Sequence, residues 1–368
     1  MYKRLWSVVL AAVLLMSLIG GAAAEAGDQI VVTVNGQELR YAEIEAVAAS
    51  YSNDPSDEAA IEAVWQAATD ACIDSILLDQ DMQQLGMFDD MDEDAIAVAG
   101  QQAYEAMVLQ YTSAFMESTG LTDAEQAISY VEEFLNAYGY TVAYYEEYYR
   151  QLTVVDRYMT YLMQDKPSIT DAEINAAYEK RVAQSQALYA NDVEAFELAL
   201  TNNQEAWYVP EGYRAVLQIY LSAQGESAEK RQAAVQDKVD EIYARLEQGE
   251  AFTALMAEFN EDADLDDPEL RSIGYQVHRE SVMWADTFVH AVFAEEMKAP
   301  GDVSSPVVSD GGVHILYYLS DRPGGPVELT DELKEALRES IYAEKVNAAM
   351  DARLTELKAS AVIIYTEN

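Results

Sequence analysis

Residues 299–322, APGDVSSPVVSDGGVHILYYLSDR, constrain the fold more than any other stretch. A tight turn leads into a short strand, a Gly311-Gly312 turn follows, and a second strand carries one histidine. The glycine pair is expected to supply the positive φ of a two-residue hairpin turn. Residues 313–319 are large apolar or aromatic side chains apart from His314, the pattern of a buried or half-buried strand. Side chains alternate along a strand, so His314 faces away from Val313 and Ile315.

The chain before this hairpin is organised around it. Residues 213–221, YRAVLQIYL, read as a strand. Residues 238–248 read as a helix with Val239, Ile242, Tyr243 and Leu246 on one face and Gly249 as its stop. Phe252, Leu255, Met256 and Phe259 repeat that spacing in a second short helix. An acidic loop over 260–269, the run Ser272-Ile273-Gly274-Tyr275, and a short helix over 288–293 complete a strand–helix–helix–loop–helix–hairpin order. The stretch of about 110 residues suits one small domain.

These residues, in this order, resemble the parvulin (PpiC-type rotamase) family of peptidyl-prolyl isomerases. The resemblance spans roughly residues 213–322 and is carried by GDVSSPV at 301–307, SDGGVHI at 309–315 and the helix pair ARLEQGEAFTALMAEFNED. It implies an enzyme that rotates an X–Pro bond against a barrier of about 20 kcal/mol, with no cofactor. A pocket that binds the twisted amide better than either planar form suffices.

Family positions transfer residue by residue. His314 takes the place of the second family histidine, Asp262 the cysteine-or-aspartate, Phe288 the phenylalanine of the proline cup, and Ile273 its leucine. The cup methionine falls on Trp284 counted without a gap, or on Met283 with a one-residue insertion. Gln218 departs from the family, which has histidine there; glutamine donates and accepts hydrogen bonds but does not titrate near neutral pH. The family's Gly-Gly-Asp-Leu-Gly run has become Leu270-Arg-Ser-Ile-Gly274. Both departures bear on turnover rather than on fold. For His314, a catalytic role and a structural hydrogen-bonding role both remain open. His278 and His290 match no family position and have no zinc-ligand spacing, so no metal is expected.

The remaining segments fit an exported member of that family. Residues 1–24 carry Lys3 and Arg4, an apolar run and a small-residue end, the order of a signal peptide; an uncleaved anchor is the alternative. No cysteine follows the apolar run, so the lipoprotein form known among relatives is not expected. The lone Cys72 sits at helical spacing behind Ile61, Val64, Trp65 and Ala68 and reads as a small buried side chain.

Residues 30–39 read as a hairpin turning at Asn35-Gly36, and helices follow with breaks at Asn53-Asp54-Pro55, Gly86, Gly120, Gly139 and Pro167. Thr122 with Glu125, and Thr170 with Glu173, are spaced as capping boxes. VNGQELRYAEIEAV and the helix starting ITDAEINAAY resemble the SurA-type and PrsA-type foldases at the corresponding positions. Tyrosines 140–161 could form a client-binding face or a bundle core with a wet rim; Val142, Tyr145, Tyr149 and Leu152 share one face, as a core requires.

The expected fold class is therefore α+β. A mainly helical chaperone-like N-terminal domain (25–166) is completed by the C-terminal helix and strand (325–368). A helical spacer (167–209) leads to an inserted parvulin-like α/β domain (210–324), a small antiparallel sheet flanked by helices. A net charge of −44 argues against nucleic acid and anionic membranes as partners. Unfolded or partly folded exported polypeptides with X–Pro bonds are the expected partners. Two functions stay open: an exported isomerase and foldase, or a non-catalytic holdase on a degenerate parvulin platform.

Overall fold

A computed structural model describes residues 29–51 and 58–366. The expected signal segment 1–24 and the break at Asn53-Asp54-Pro55 lie outside the described residues. The first elements are β1 (Ile30–Val34), β2 (Gln37–Arg40), α1 (Tyr41–Ala48), α2 (Glu58–Gln84), α3 (Glu93–Thr119), α4 (Ala124–Ala137) and α5 (Val142–Met163). Then come α6 (Asp171–Tyr189), α7 (Val193–Thr201), β3 (Tyr208–Val209), β4 (Arg214–Ser222), α8 (Ala228–Glu247) and α9 (Phe252–Phe259). A 3-10 turn (Ala263–Asp266), α10 (Pro268–Ile273), β5 (Tyr275–Val277), α11 (Asp286–Val292), β6 (Val307–Val308) and β7 (Gly312–Asp321) follow. The chain closes with β8 (Gly325–Pro326), α12 (Asp331–Ser360) and β9 (Ile363–Tyr365). The chain is α+β: helices dominate, and the sheets are small and antiparallel. No described helix is long and apolar enough to cross a membrane.

Two compact units result, one of the described residues up to 168 with 342–366 and one of residues 169–341, so the division falls inside α12. In the first unit, Asn35 and Gly36 both adopt positive φ, the geometry a tight two-residue hairpin loop demands. β9 pairs with β1 on the edge opposite β2. Val32, Val34, Leu39, Ile44 and the α2 residues Cys72, Ile76 and Leu77 form a core with Tyr158 of α5 and Val346, Met350 and Leu354 of α12. Cys72 lies in that core, and burial pushes its thiol up to about 12, so it stays protonated and unreactive. Inside this unit Asp81 accepts hydrogen bonds from Tyr158 Oη (2.6 Å) and from Arg353 Nε (2.8 Å).

A smaller core joins Tyr104 and Val108 of α3, Val131 and Leu135 of α4, and Val142 and Tyr145 of α5. Part of the tyrosine-rich helix thus serves packing. Thr170 and Glu173 form the expected capping box. At α4 the cap shifts one residue: Asp123, not Thr122, accepts from the Gln126 N–H (3.1 Å). A carboxylate at this place also meets the positive end of the helix dipole.

In the second unit, the main sheet runs β5-β4-β7-β6, every pair antiparallel. One face carries Leu217, Ile219, Leu221, Val313 and Ile315 against Val235, Val239 and Ile242 of α8 and Leu255 of α9. The other face carries Val216, Leu316 and Tyr318 against Phe288, Val289 and Val292 of α11. Alternation therefore places Gln218 and His314 on the α11 side. Arg214 braces that side, with its guanidinium 4.4 Å from the centre of the Tyr318 ring and Nη1 donating to the Val292 and Met297 carbonyls (both 2.9 Å).

The expected reason for Gly311 and Gly312 is wrong. Neither has a positive φ, and the turn closes through the Ser309 N–H donating to the Gly312 carbonyl at 2.8 Å, which leaves Asp310 and Gly311 at its tip. Close approach explains the glycines instead: a Cβ on Gly312 would lie 2.1 Å from the Leu221 carbonyl oxygen, and one on Gly311 2.6 Å from the Tyr220 hydroxyl. The 167–209 segment forms α6, α7 and β3, with Tyr189, Val193 and Phe196 packed on Val209 and Tyr213. β3 pairs with β8, so the Pro323–Pro326 stretch carries a short strand.

Candidate active site

A line of hydrogen bonds crosses the β4–β7 pair on its α11 face. Gln218 Nε2 donates to Asp262 Oδ2 at 2.5 Å, which leaves Gln218 Oε1 as an acceptor 2.7 Å from His314 Nδ1. A carbonyl oxygen only accepts, so His314 Nδ1 carries the proton. Nε2 is then free to accept from the Ser309 hydroxyl at 2.8 Å. Burial lowers the His314 pKa below the usual imidazole value, against the opposing pull of Asp262, so the ring is neutral at neutral pH.

Asp262 anchors the far end. Its Oδ2 also accepts from Tyr275 Oη (2.7 Å), and Oδ1 accepts from the Asp264 N–H (3.2 Å). Burial, and then the bond to Asp262, raise the Tyr275 phenol pKa, so it remains a donor. Asn260 fixes this loop to the sheet: its Oδ1 accepts from the Tyr220 N–H (2.8 Å) and its Nδ2 donates to the Asp262 carbonyl (2.9 Å).

Aromatic rings stand beside the polar line. Phe288 points its ring at His314, edge to face, at 5.7 Å and 87°. Trp284 stacks on Phe288 at 4.9 Å and 16°, and Tyr275 meets Trp284 at 5.1 Å. The Trp284 indole N–H donates to the Gln276 carbonyl (3.0 Å), which fixes the ring plane. The Tyr220 ring lies 4.9 Å from the His314 ring, tilted by 34°.

Of the residues singled out in the sequence, the structure brings together His314, Gln218, Asp262, Phe288 and Trp284. Ile273 (53% exposed) and Met283 (55% exposed) belong to none of the clusters around Phe288. Ser309, Tyr275 and Asn260 join the network without a role assigned from sequence. Ser309 could have been found from strand register, because Val307 pairs with His314 across the hairpin. His278 lies away from this line, with Nε2 donating to the Glu211 carbonyl (3.0 Å) and Nδ1 accepting from the Glu280 N–H (3.0 Å). Among the described residues no group of three or more His, Cys, Asp or Glu side chains is placed to hold a metal ion.

Chemically, the arrangement offers a flat apolar surface next to a neutral imidazole whose two nitrogens are both engaged. It can hold a ring and meet an amide with polar groups.

The family profile described as Rotamase: PPIC-type PPIASE domain matches residues 219–320. No curated protein matches the chain. Among solved structures, PrsA from Bacillus subtilis is similar at 15% identity over 91% of this chain and 93% of that one, with a TM-score of 0.24. A protein of the PEB4 and Cj1289 pair from Campylobacter jejuni, described as SurA-like chaperones, is similar at 10% identity over 92% of this chain and 100% of that one, with a TM-score of 0.34. The family match spans most of the sheet, its covering helices and the residues Asp262, Trp284, Phe288 and His314, and it begins one position after Gln218: residues 219–320 are similar to a PPIC-type PPIase, or rotamase, domain.

Proposed function

We propose that this chain is an exported peptidyl-prolyl cis–trans isomerase that assists the folding of secreted polypeptides. The observation that carries the reading is the Trp284–Phe288 stack set edge-on against a neutral, doubly hydrogen-bonded His314. The proline ring lies on the aromatic wall. The amide next to it twists in a site poor in water, and the polar line favours the twisted form over either planar form. His314, Asp262 and Gln218 act as one polar unit, and Phe288 and Trp284 form the cup; Met283 and Ile273, exposed and outside the Phe288 cluster, are left to contacts with the substrate beyond the proline ring. Substrates are unfolded or partly folded exported chains with X–Pro bonds. The charge of −44 keeps nucleic acid and anionic membranes away. The helical segments 25–166 and 325–368 serve as a chaperone-like body around the isomerase domain at 210–324, with 167–209 leading into it.

Purified protein should accelerate cis-to-trans conversion of a short X–Pro peptide well above the uncatalysed rate, which has a time constant of about 10–100 s. Absence of acceleration at every pH from mildly acidic to mildly basic would move the chain to the second reading, a holdase. One observation favours that second reading: Gln218, 7% exposed, fills with a non-titrating amide the place of a family histidine. Export is tested separately by the mass of the N-terminus of secreted material. Cleavage at or near Ala24 is expected; a mature chain that starts at Met1 would support an anchor instead.

A further inference from the structure

We propose that Glu197, on α7 and outside the rotamase match, is a positioning residue that fixes the loop bearing Trp284 and so sets the aromatic wall of the cup. Its kinetic consequence rests on the isomerase reading; its structural consequence does not.

Glu197 is 2% exposed, unusual for a carboxylate, and its two oxygens take four donors. Oε1 accepts from Tyr213 Oη at 3.0 Å. Oε2 accepts from Ser281 Oγ at 3.0 Å, the Val282 N–H at 2.7 Å and the Met283 N–H at 3.1 Å. Two successive backbone N–H groups and a hydroxyl thus converge on one oxygen, a concavity built for a negative charge. Such bonds are stronger than neutral ones. Met283 is the residue before Trp284, so the clamp fixes the point at which the chain enters the wall. Trp284 then stacks on Phe288, and Phe288 meets His314. The sequence marks residues 167–209 only as a spacer, yet Glu197 within it supplies the anchor.

The test uses the full chain. Glu197→Gln turns an amide NH2 or a weaker acceptor towards the three loop donors. The Trp284 indole N–H signal, assigned with Trp284→Phe, should shift in the NMR spectrum. The Val282 and Met283 amide signals should move upfield and exchange about tenfold faster. With an X–Pro peptide, KM should rise about fivefold while kcat stays within about twofold, the pattern of a misplaced binding wall. Tyr213→Phe removes the donor to Oε1 only. It should lower stability yet leave the indole signal and KM in place, which separates positioning from general packing. Ser281→Ala should move the same signals in the same direction by less, and it decides the question if Glu197→Gln fails to fold. Unchanged indole and amide signals in a folded Glu197→Gln chain, or equal changes in Tyr213→Phe, would overturn the proposal. A wild-type chain without isomerase activity would sink the isomerase reading alone, since the NMR arm still decides the clamp.

Discussion

In an X–Pro peptide assay, Phe288→Ala lowers kcat/KM by about 30- to 150-fold, whereas His314→Gln keeps it within about fivefold of wild type. The first figure follows from losing an apolar ring contact of roughly 2–3 kcal/mol in the twisted state. Phe288 is also a core residue, packed with Val216, Leu316 and Tyr318, so the variant is assayed well below its melting temperature. Trp284→Ala, at a half-buried position, gives a second estimate with less damage to the fold. The second figure follows from the reaction itself, which transfers no proton overall. His314 donates from Nδ1 to Gln218 and accepts at Nε2 from Ser309, and a glutamine side chain also offers one donor and one acceptor.

The sign with pH is fixed by the lowered His314 pKa. The neutral ring predominates at the ordinary imidazole pKa and above it, so activity changes little from there upwards. Protonation at lower pH is easier in the unfolded chain than in the folded one, so His314 subtracts from stability as pH falls through the unfolded imidazole pKa. Wild-type activity that changes steeply at a pH below that unperturbed value, where the folded His314 titrates, with the step removed in His314→Gln, would show a titrating catalytic histidine and refute the wall-first account.

Local rules made much of this site visible in advance. Alternation along 313–319 placed His314 opposite Val313 and Ile315, and it faces α11 with Gln218 across the β4–β7 pair. The Asn35-Gly36 turn and the Thr170 cap rest on side chains and backbone within a few residues, where sequence suffices. Gly311 and Gly312 were legible as glycines that mattered, but their reason is the approach of Leu221 and Tyr220 from another strand, which no local rule contains. Tyr275 reaches Asp262 only because β5 and the loop after α9 meet at the same sheet edge. Glu197 is further still. Its partners at 281–283 lie more than eighty positions away, and nothing in the run of α7 distinguishes it from a surface glutamate until its burial is known. What sequence misses here is convergence between distant segments, not the nature of any one element.

The same kind of distant pairing sets the largest expected effect on stability. Arg353→Met should weaken the first unit by about 3 kcal/mol, read as about 150-fold faster hydrogen exchange of the α2 amides. The side chain of Asp81 is 2% exposed, and both its oxygens are bonded to Arg353, with Tyr158 adding a donor. Removing the guanidinium strands a buried carboxylate, which is worse than never having had the pair. Asp81→Leu combined with Arg353→Met should therefore recover part of the loss. Burial acts to raise the Asp81 pKa, but the bonds from Arg353 and Tyr158 outweigh it, and the folded value is lowered. In the wild type this contribution is present above the unfolded carboxylate pKa and fades as pH falls through the folded one. In Arg353→Met both Arg353 bonds and its charge are gone, only the Tyr158 hydroxyl still opposes burial, and burial, the largest influence on Asp81, moves the folded pKa above the unfolded value, so the sign inverts. The defect in the variant should shrink as the solution is acidified from neutral pH, because protonation then favours the folded chain. A defect that stays constant from pH 7 to about pH 4 would mean that Arg353 acts through packing of its stem and not through the charge of Asp81.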